Sequence, residues 1–140
     1  MTPIDQLNTA LAFAMKHRPK VGGFPVLAEV LRQAGVTRNM WELPSCQSLY
    51  VMASGTVVNQ GVPLISGMAE VPSFDEAALI HALRQDQAGY TTFPKFLMSA
   101  WKAGVVHYEV DFAARTVAYY GRLGEVYLEA YPAVEGVTFA

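Results

Sequence analysis

The chain has little of what usually announces a chemistry. A single cysteine, Cys46, among 140 residues excludes an intrachain disulfide and a cysteine-built metal cage. Charged residues make up only 16% of the sequence, and the net charge is −2. With a pI of about 5.9, that balance gives no electrostatic basis for nucleic-acid or membrane-surface binding. The only basic cluster is the short run Lys16, His17, Arg18 and Lys20. No apolar run approaches the roughly 20 residues that span a bilayer. The N-terminus has no basic region leading into an apolar stretch, so the expectation is a cytoplasmic protein without a membrane partner. No nucleophile motif, phosphate loop or metal-ligand spacing is present, and no cofactor is implied.

What the chain does have is apolar material, 52% of its residues, and a mean hydropathy of +0.21. A single domain spanning 1–140 is expected, with roughly 68% of the unfolded surface buried on folding. The second half repeats the first at an offset of 69 residues: Phe24-Pro25 returns as Phe93-Pro94, Ala34-Gly35-Val36 as Ala103-Gly104-Val105, and Tyr50 as Tyr119. Gly55, Pro63 and Gly67 return as Gly124, Pro132 and Gly136, and Pro3 aligns with Pro72. Recurrence of turn and cap residues in one register implies one structural unit built twice, with halves of about 1–71 and 72–140.

The elements follow from periodicity. Thr2 is placed to cap a helix with Pro3 at its first position, and Ile4, Leu7, Leu11, Ala14 and Met15 recur at helical spacing as far as His17. Pro25 opens a second helix that Gly35 closes. Strands are expected at 37–43, 47–52 and 56–59, with an extended piece over 64–71. In the second half, Ser73 and Glu76 match a capping box. A helix carrying Leu79, Ile80 and Leu83 follows, then a polar connection over 85–90 and a helix with Phe93, Phe96, Leu97, Ala100 and Trp101. Val106, Tyr108, Val110 and Phe112 alternate with His107, Glu109 and Asp111 in a half-buried strand, and strands at 116–120 and 125–131 complete the set. The fold class is therefore α+β: two helix-helix-strand-strand-strand units forming a largely antiparallel sheet layer covered by helices. A pseudo-twofold between the halves would put a groove at their seam.

The segments Gly22-Gly23-Phe24-Pro25-Val26-Leu27-Ala28-Glu29-Val30-Leu31 and Ala34-Gly35-Val36-Thr37-Arg38-Asn39 resemble the YbcV/YdfO-like family of small bacterial proteins. So do Pro44-Ser45-Cys46-Gln47-Ser48-Leu49-Tyr50, Thr92-Phe93-Pro94, and the blocks from Ala103 to Phe112 and Tyr119 to Gly121. Members are often carried on prophages, and some are labelled phage envelope proteins. The resemblance implies a prophage-type accessory protein and transfers no catalytic residues.

Four sets of residues merit weighing. Cys46 could act as a nucleophile with His107 as its base, but a lone cysteine is more often a small core residue. His107, Glu109 and Asp111 share one strand face, yet three ligands along a strand span about 13 Å and cannot close on one ion alone. Gly22-Gly23 before a helix could hold an anion, though an ordinary turn explains the pair. The tyrosines Tyr108, Tyr119, Tyr120, Tyr127 and Tyr131 crowd the last strands, and the outward members, among which Tyr119, Tyr127 and Tyr131 are candidates, could meet a protein or small ligand. The reading favoured is a non-catalytic binding or accessory protein that recognises a protein or small ligand. A Cys46-dependent enzyme is the alternative, with a DNA-binding regulator behind it.

Overall fold

Helix α1, Pro3–His17, starts where the sequence places it: the Thr2 side chain accepts from the Asp5 amide and Asp5 reciprocates to the Thr2 amide, while Pro3 occupies a position that needs no N–H. Arg18 ends it, its backbone turned to extended by Pro19. Helix α2, Phe24–Gln33, is followed by Gly35 at φ 97°, a left-handed conformation that closes the helix and that glycine adopts without strain. Strands β1 (Val36–Glu42), β2 (Gln47–Met52) and β3 (Gly55–Gln60) complete the first half. The second half contains α3 (Glu76–Gln87), α4 (Phe93–Lys102), β4 (Val105–Asp111), β5 (Thr116–Gly121) and β6 (Val126–Ala130). The computed structural model describes residues 1–139.

The strands form one six-stranded antiparallel sheet in the order β3-β2-β1-β4-β5-β6. The halves therefore join edge to edge through β1 and β4. Their register shows how: Met40 faces Glu109, its own repeat mate, while Arg38 faces Asp111 and Glu42 faces His107. Those two flanking pairs are images of each other, so a pseudo-twofold axis passes through the Met40–Glu109 pair. Three pairs of elements (α2/α4, β1/β4 and β2/β5) obey the 69-residue offset at both ends. Helices α1 and α2 pack together, as do α3 and α4, with α2 over β1 and α4 over β4. One sheet face is thus covered and one left open.

The core lies between helices and covered face. Leu7, Ala10, Val30 and Leu31 meet Val36, Tyr50 and Met52 in one half, and Leu79, Leu83, Phe96, Leu97 and Trp101 meet Val105, Tyr108, Val110 and Phe112 in the other. The strict alternation expected along β4 breaks at its start. A bulge between Val105 and His107 buries Val105 completely and leaves Val106 half-buried; its repeat mate between Val36 and Arg38 buries Val36 and leaves Thr37 exposed.

The extended piece over 64–71 does not pair into the sheet: Pro63, Gly67 and Pro72 interrupt it, and only the Leu64 amide bonds toward the sheet, to the Pro44 carbonyl. Leu64 and Ile65 nonetheless pack on the core. Asp75, not Ser73, caps α3 by accepting from the Ala78 amide, and Ser73 instead receives a hydrogen bond from Arg122. Helix α3 continues to Gln87, so the polar connection is shorter than the sequence indicates.

Candidate functional site

The cysteine–histidine pair is not assembled. Cys46 ends the β1–β2 connection, is 3% exposed, and lies close to Tyr108 under the covered face, where burial pushes its thiol pKa up. His107 points to the open face, with Nδ1 2.6 Å from Glu42 Oε1 and Nε2 2.9 Å from Glu109 Oε1. The sheet separates the two side chains. Glu109, held low in pKa against the effect of its burial by His107 and Arg38, belongs to a cross-strand charge cluster beside the pseudo-twofold axis. Asp111 is used elsewhere, accepting from the Ala114 amide in the following turn. Nor do Gly22 and Gly23 form a cradle: the Gly22 amide donates to the Gln87 carbonyl, and a side chain at Gly23 would meet the Pro19 carbonyl at 2.2 Å.

The tyrosines divide by face. Trp41, Tyr108, Tyr119 and Tyr127 form an aromatic ladder across the covered side, with neighbouring ring centroids 5.9, 5.5 and 6.4 Å apart. Buried Asn39 fixes the ladder's end by accepting from Trp41 Nε1 and donating to the Leu49 carbonyl. Tyr119 is therefore a core residue, 5% exposed, and burial raises its phenol pKa. Tyr127 is half-buried against it. Tyr120 is the member that looks outward, next to His107. Tyr131 leaves the sheet and packs edge-on against Phe24 at 5.2 Å.

That position puts Tyr131 in a tight, filled crevice with Pro25, Ala28 and Arg115. The crevice shares Glu29, Arg32, Phe112 and Arg115 with an open groove of about 540 Å³ built from both halves. Glu29, Arg32 and Val36 come from the first half, and Phe112, Arg115 and Val134 from the second. Arg32 grips Glu29 with two parallel bonds, Nε to Oε1 at 2.9 Å and Nη2 to Oε2 at 2.8 Å. Gln33 donates to the same carboxylate at 2.7 Å. Led by the Arg32 hydrogen bonds, these contacts lower the Glu29 pKa to about 2. Burial pushes the Tyr131 phenol up to about 12, so it remains a neutral hydrogen-bond donor.

The repeat explains why the groove opens in one half. Gln47 faces Gln60 across the first β-hairpin, whereas its mate Thr116 faces Ala130, one residue beyond the mate of Gln60. The extra residue sits in the turn before β6, and it slips that strand by one position. As a result the Tyr131 amide bonds to Arg115 where, in the first half, the Gly61 amide bonds to Cys46. Gly61 lies so close that a Cβ would be 2.8 Å from the Cys46 carbonyl; Tyr131 brings a whole phenol to the equivalent point. The next first-half bond, Leu64 to Pro44, has no counterpart among the described residues. The chain after Tyr131 stands away from the β4–β5 connection, and the space between them is the groove.

Sequence reading selected Tyr131 but not Glu29, Arg32 or Arg115. The usable signal was in the repeat itself. At the 69-residue offset these three correspond to Met98, Trp101 and Cys46, so the chain departs from its own pattern by exchanging apolar residues for charges.

The chain is 54% identical over 133 residues to the uncharacterized protein Rv2012 of Mycobacterium tuberculosis and, equally, to the uncharacterized protein Mb2035 of Mycobacterium bovis; the match covers 95% of this chain and 81% of each relative. A family model described as protein of unknown function (DUF1398) matches residues 14–130. That span contains α2, α3, α4 and every strand, and the chain belongs to the DUF1398 family.

Proposed function

We propose that the protein is a non-catalytic accessory protein of the cytoplasm that binds a small ligand in the groove between its halves. The observation that carries this reading is the groove itself, a cavity of about 540 Å³ at the one end of the seam where the repeat mates do not close on each other. Its volume falls in the range of small-molecule sites, roughly 300–1,000 Å³, and it combines an apolar floor with a few convergent polar groups. The corresponding place in the other half is filled: Leu43, Cys46, Leu97 and Trp101 are all buried there. The positive φ of Arg115, 54°, adds nothing to the argument, because its mate Cys46 has φ 61° in the same turn.

A second reading has its own observation. The open sheet face exposes Val126 and Leu128 on the edge strand β6, beside Tyr120, a patch suited to a protein partner. The likeness to YbcV/YdfO-like proteins supports a prophage setting for either reading.

Titration of the 15N-labelled chain with a fragment library separates the two. Small-ligand binding shifts the amides of Gly35–Thr37, Phe112–Arg115 and Ala133–Val134. Shifts confined to Tyr120, Val126 and Leu128, or no shifts at all, would count against the groove.

A further inference from the structure

We infer that the groove takes ligands with an apolar body and a single anionic head, and that Arg115 reads the head. This rests on the groove being the binding site, and it adds the ligand class and the residue that determines it.

The charge arrangement points to the head group. Glu29 and Arg32 neutralise each other through their bidentate contact, and Gln33 holds the carboxylate from the other side. Arg32 is thereby committed. Arg115 lines the same groove and enters no ion pair among the described residues. Arg115 favours the Glu29 carboxylate through space but makes no ion pair with it, so the site offers a guanidinium whose planar fork of donors matches a carboxylate. Asp111, the nearest other carboxylate in sequence, accepts from the Ala114 amide and does not line the groove.

Two features fix where that guanidinium starts. The Arg115 carbonyl accepts from the Tyr131 amide at 3.0 Å, so the backbone carrying the charge is tied to the C-terminal strap, the segment after β6 that carries the phenol. Tyr131 remains protonated and can add a neutral donor beside the cation. The apolar half of the ligand is met by Val36, Phe112, Ala133 and Val134. The internal repeat is the comparison: where the first half puts Cys46 in a closed, apolar position, the second puts Arg115 in an open one.

The test uses the full 15N-labelled chain with three probes: phenylacetate, its neutral isostere phenylacetamide, and inorganic phosphate. Phenylacetate should shift the Phe112–Arg115 and Ala133–Val134 amides and bind about ten-fold more tightly than phenylacetamide, the difference between charge-assisted and neutral hydrogen bonds. Arg115→Gln should erase that preference and Arg115→Lys should keep most of it, with β4 and β5 amides reporting an intact fold. Equal binding of acid and amide, or a preference that survives in Arg115→Gln, overturns the anion assignment and leaves the groove standing. Phosphate binding as well as phenylacetate overturns the apolar-body requirement. If no probe shifts any groove amide, the groove reading itself falls.

Discussion

Replacing Gln33 by alanine should loosen the C-terminal strap without unfolding the protein. The Gln33 amide donates to the Val137 carbonyl at 2.7 Å and accepts from the Phe139 amide at 2.7 Å, bridging α2 to a segment more than 100 residues away in sequence. Its third bond, to Glu29, is expendable because Arg32 already holds that carboxylate at two points. Two neutral hydrogen bonds are worth together about 2 kcal/mol net, which corresponds to a roughly 30-fold shift in a local opening equilibrium. The remaining anchors are the packing of Val137 and Phe139 and the edge-on contact of Phe139 with Phe13 at 5.3 Å. Native-state hydrogen exchange at the Phe139 amide should therefore quicken by about that factor, with β1 and β4 amides unchanged. Unchanged Phe139 exchange would refute the strap account. Uniform acceleration throughout the chain would refute it differently, by making Gln33 part of the global core.

Glu29 has a depressed folded-state pKa, about 2 against an ordinary 4.5, so its contribution is full above pH 4.5 and is lost as pH falls toward 2. Acid unfolding followed by circular dichroism should show Glu29→Gln flattening that part of the profile; an identical slope would discount the ion pair. Leu79→Ala, at a completely buried site in α3, should cost about 2–5 kcal/mol in urea denaturation, and a loss below 1 kcal/mol would contradict the packing described. Cys46 should resist iodoacetamide in the native protein at pH 7 and react only on unfolding, because it is buried and its thiol pKa is raised. Rapid native alkylation would revive the nucleophile.

Most of the architecture was legible because the chain states it twice. Pro25 and Pro94, Gly35 and Gly104, and the strands between them mark identical boundaries, and short connections make sequential strands antiparallel neighbours. The join between β1 and β4 was not legible in the same way. It pairs residues some 70 apart, and no turn residue signals it; only the register, Met40 on Glu109, reveals the axis afterwards. Local errors have local causes. The capping box at Ser73 lost to Asp75, a side chain two residues nearer the helix, and a bulge invisible to period-two counting exchanged Val106 for Val105.

The groove was harder still, because its walls come from opposite ends of the chain and depend on a one-residue slip that the sequence register conceals. Gly55 and Gly124 align without a gap, yet the hairpin containing Gly124 pairs one residue out of step, and Tyr131 rather than Gly61 meets the preceding turn. In a duplicated fold, equivalent positions feel nearly the same backbone, so a departure from apolar to charged must be accommodated by local change. Glu29 and Arg32 satisfy each other, which accounts for two of the three departures by structure alone. Arg115 has no such partner among the described ion pairs, and its mate is a buried cysteine. The uncompensated substitution, not the strained turn that both halves share, is what marks the groove as the place where the two copies took different roles.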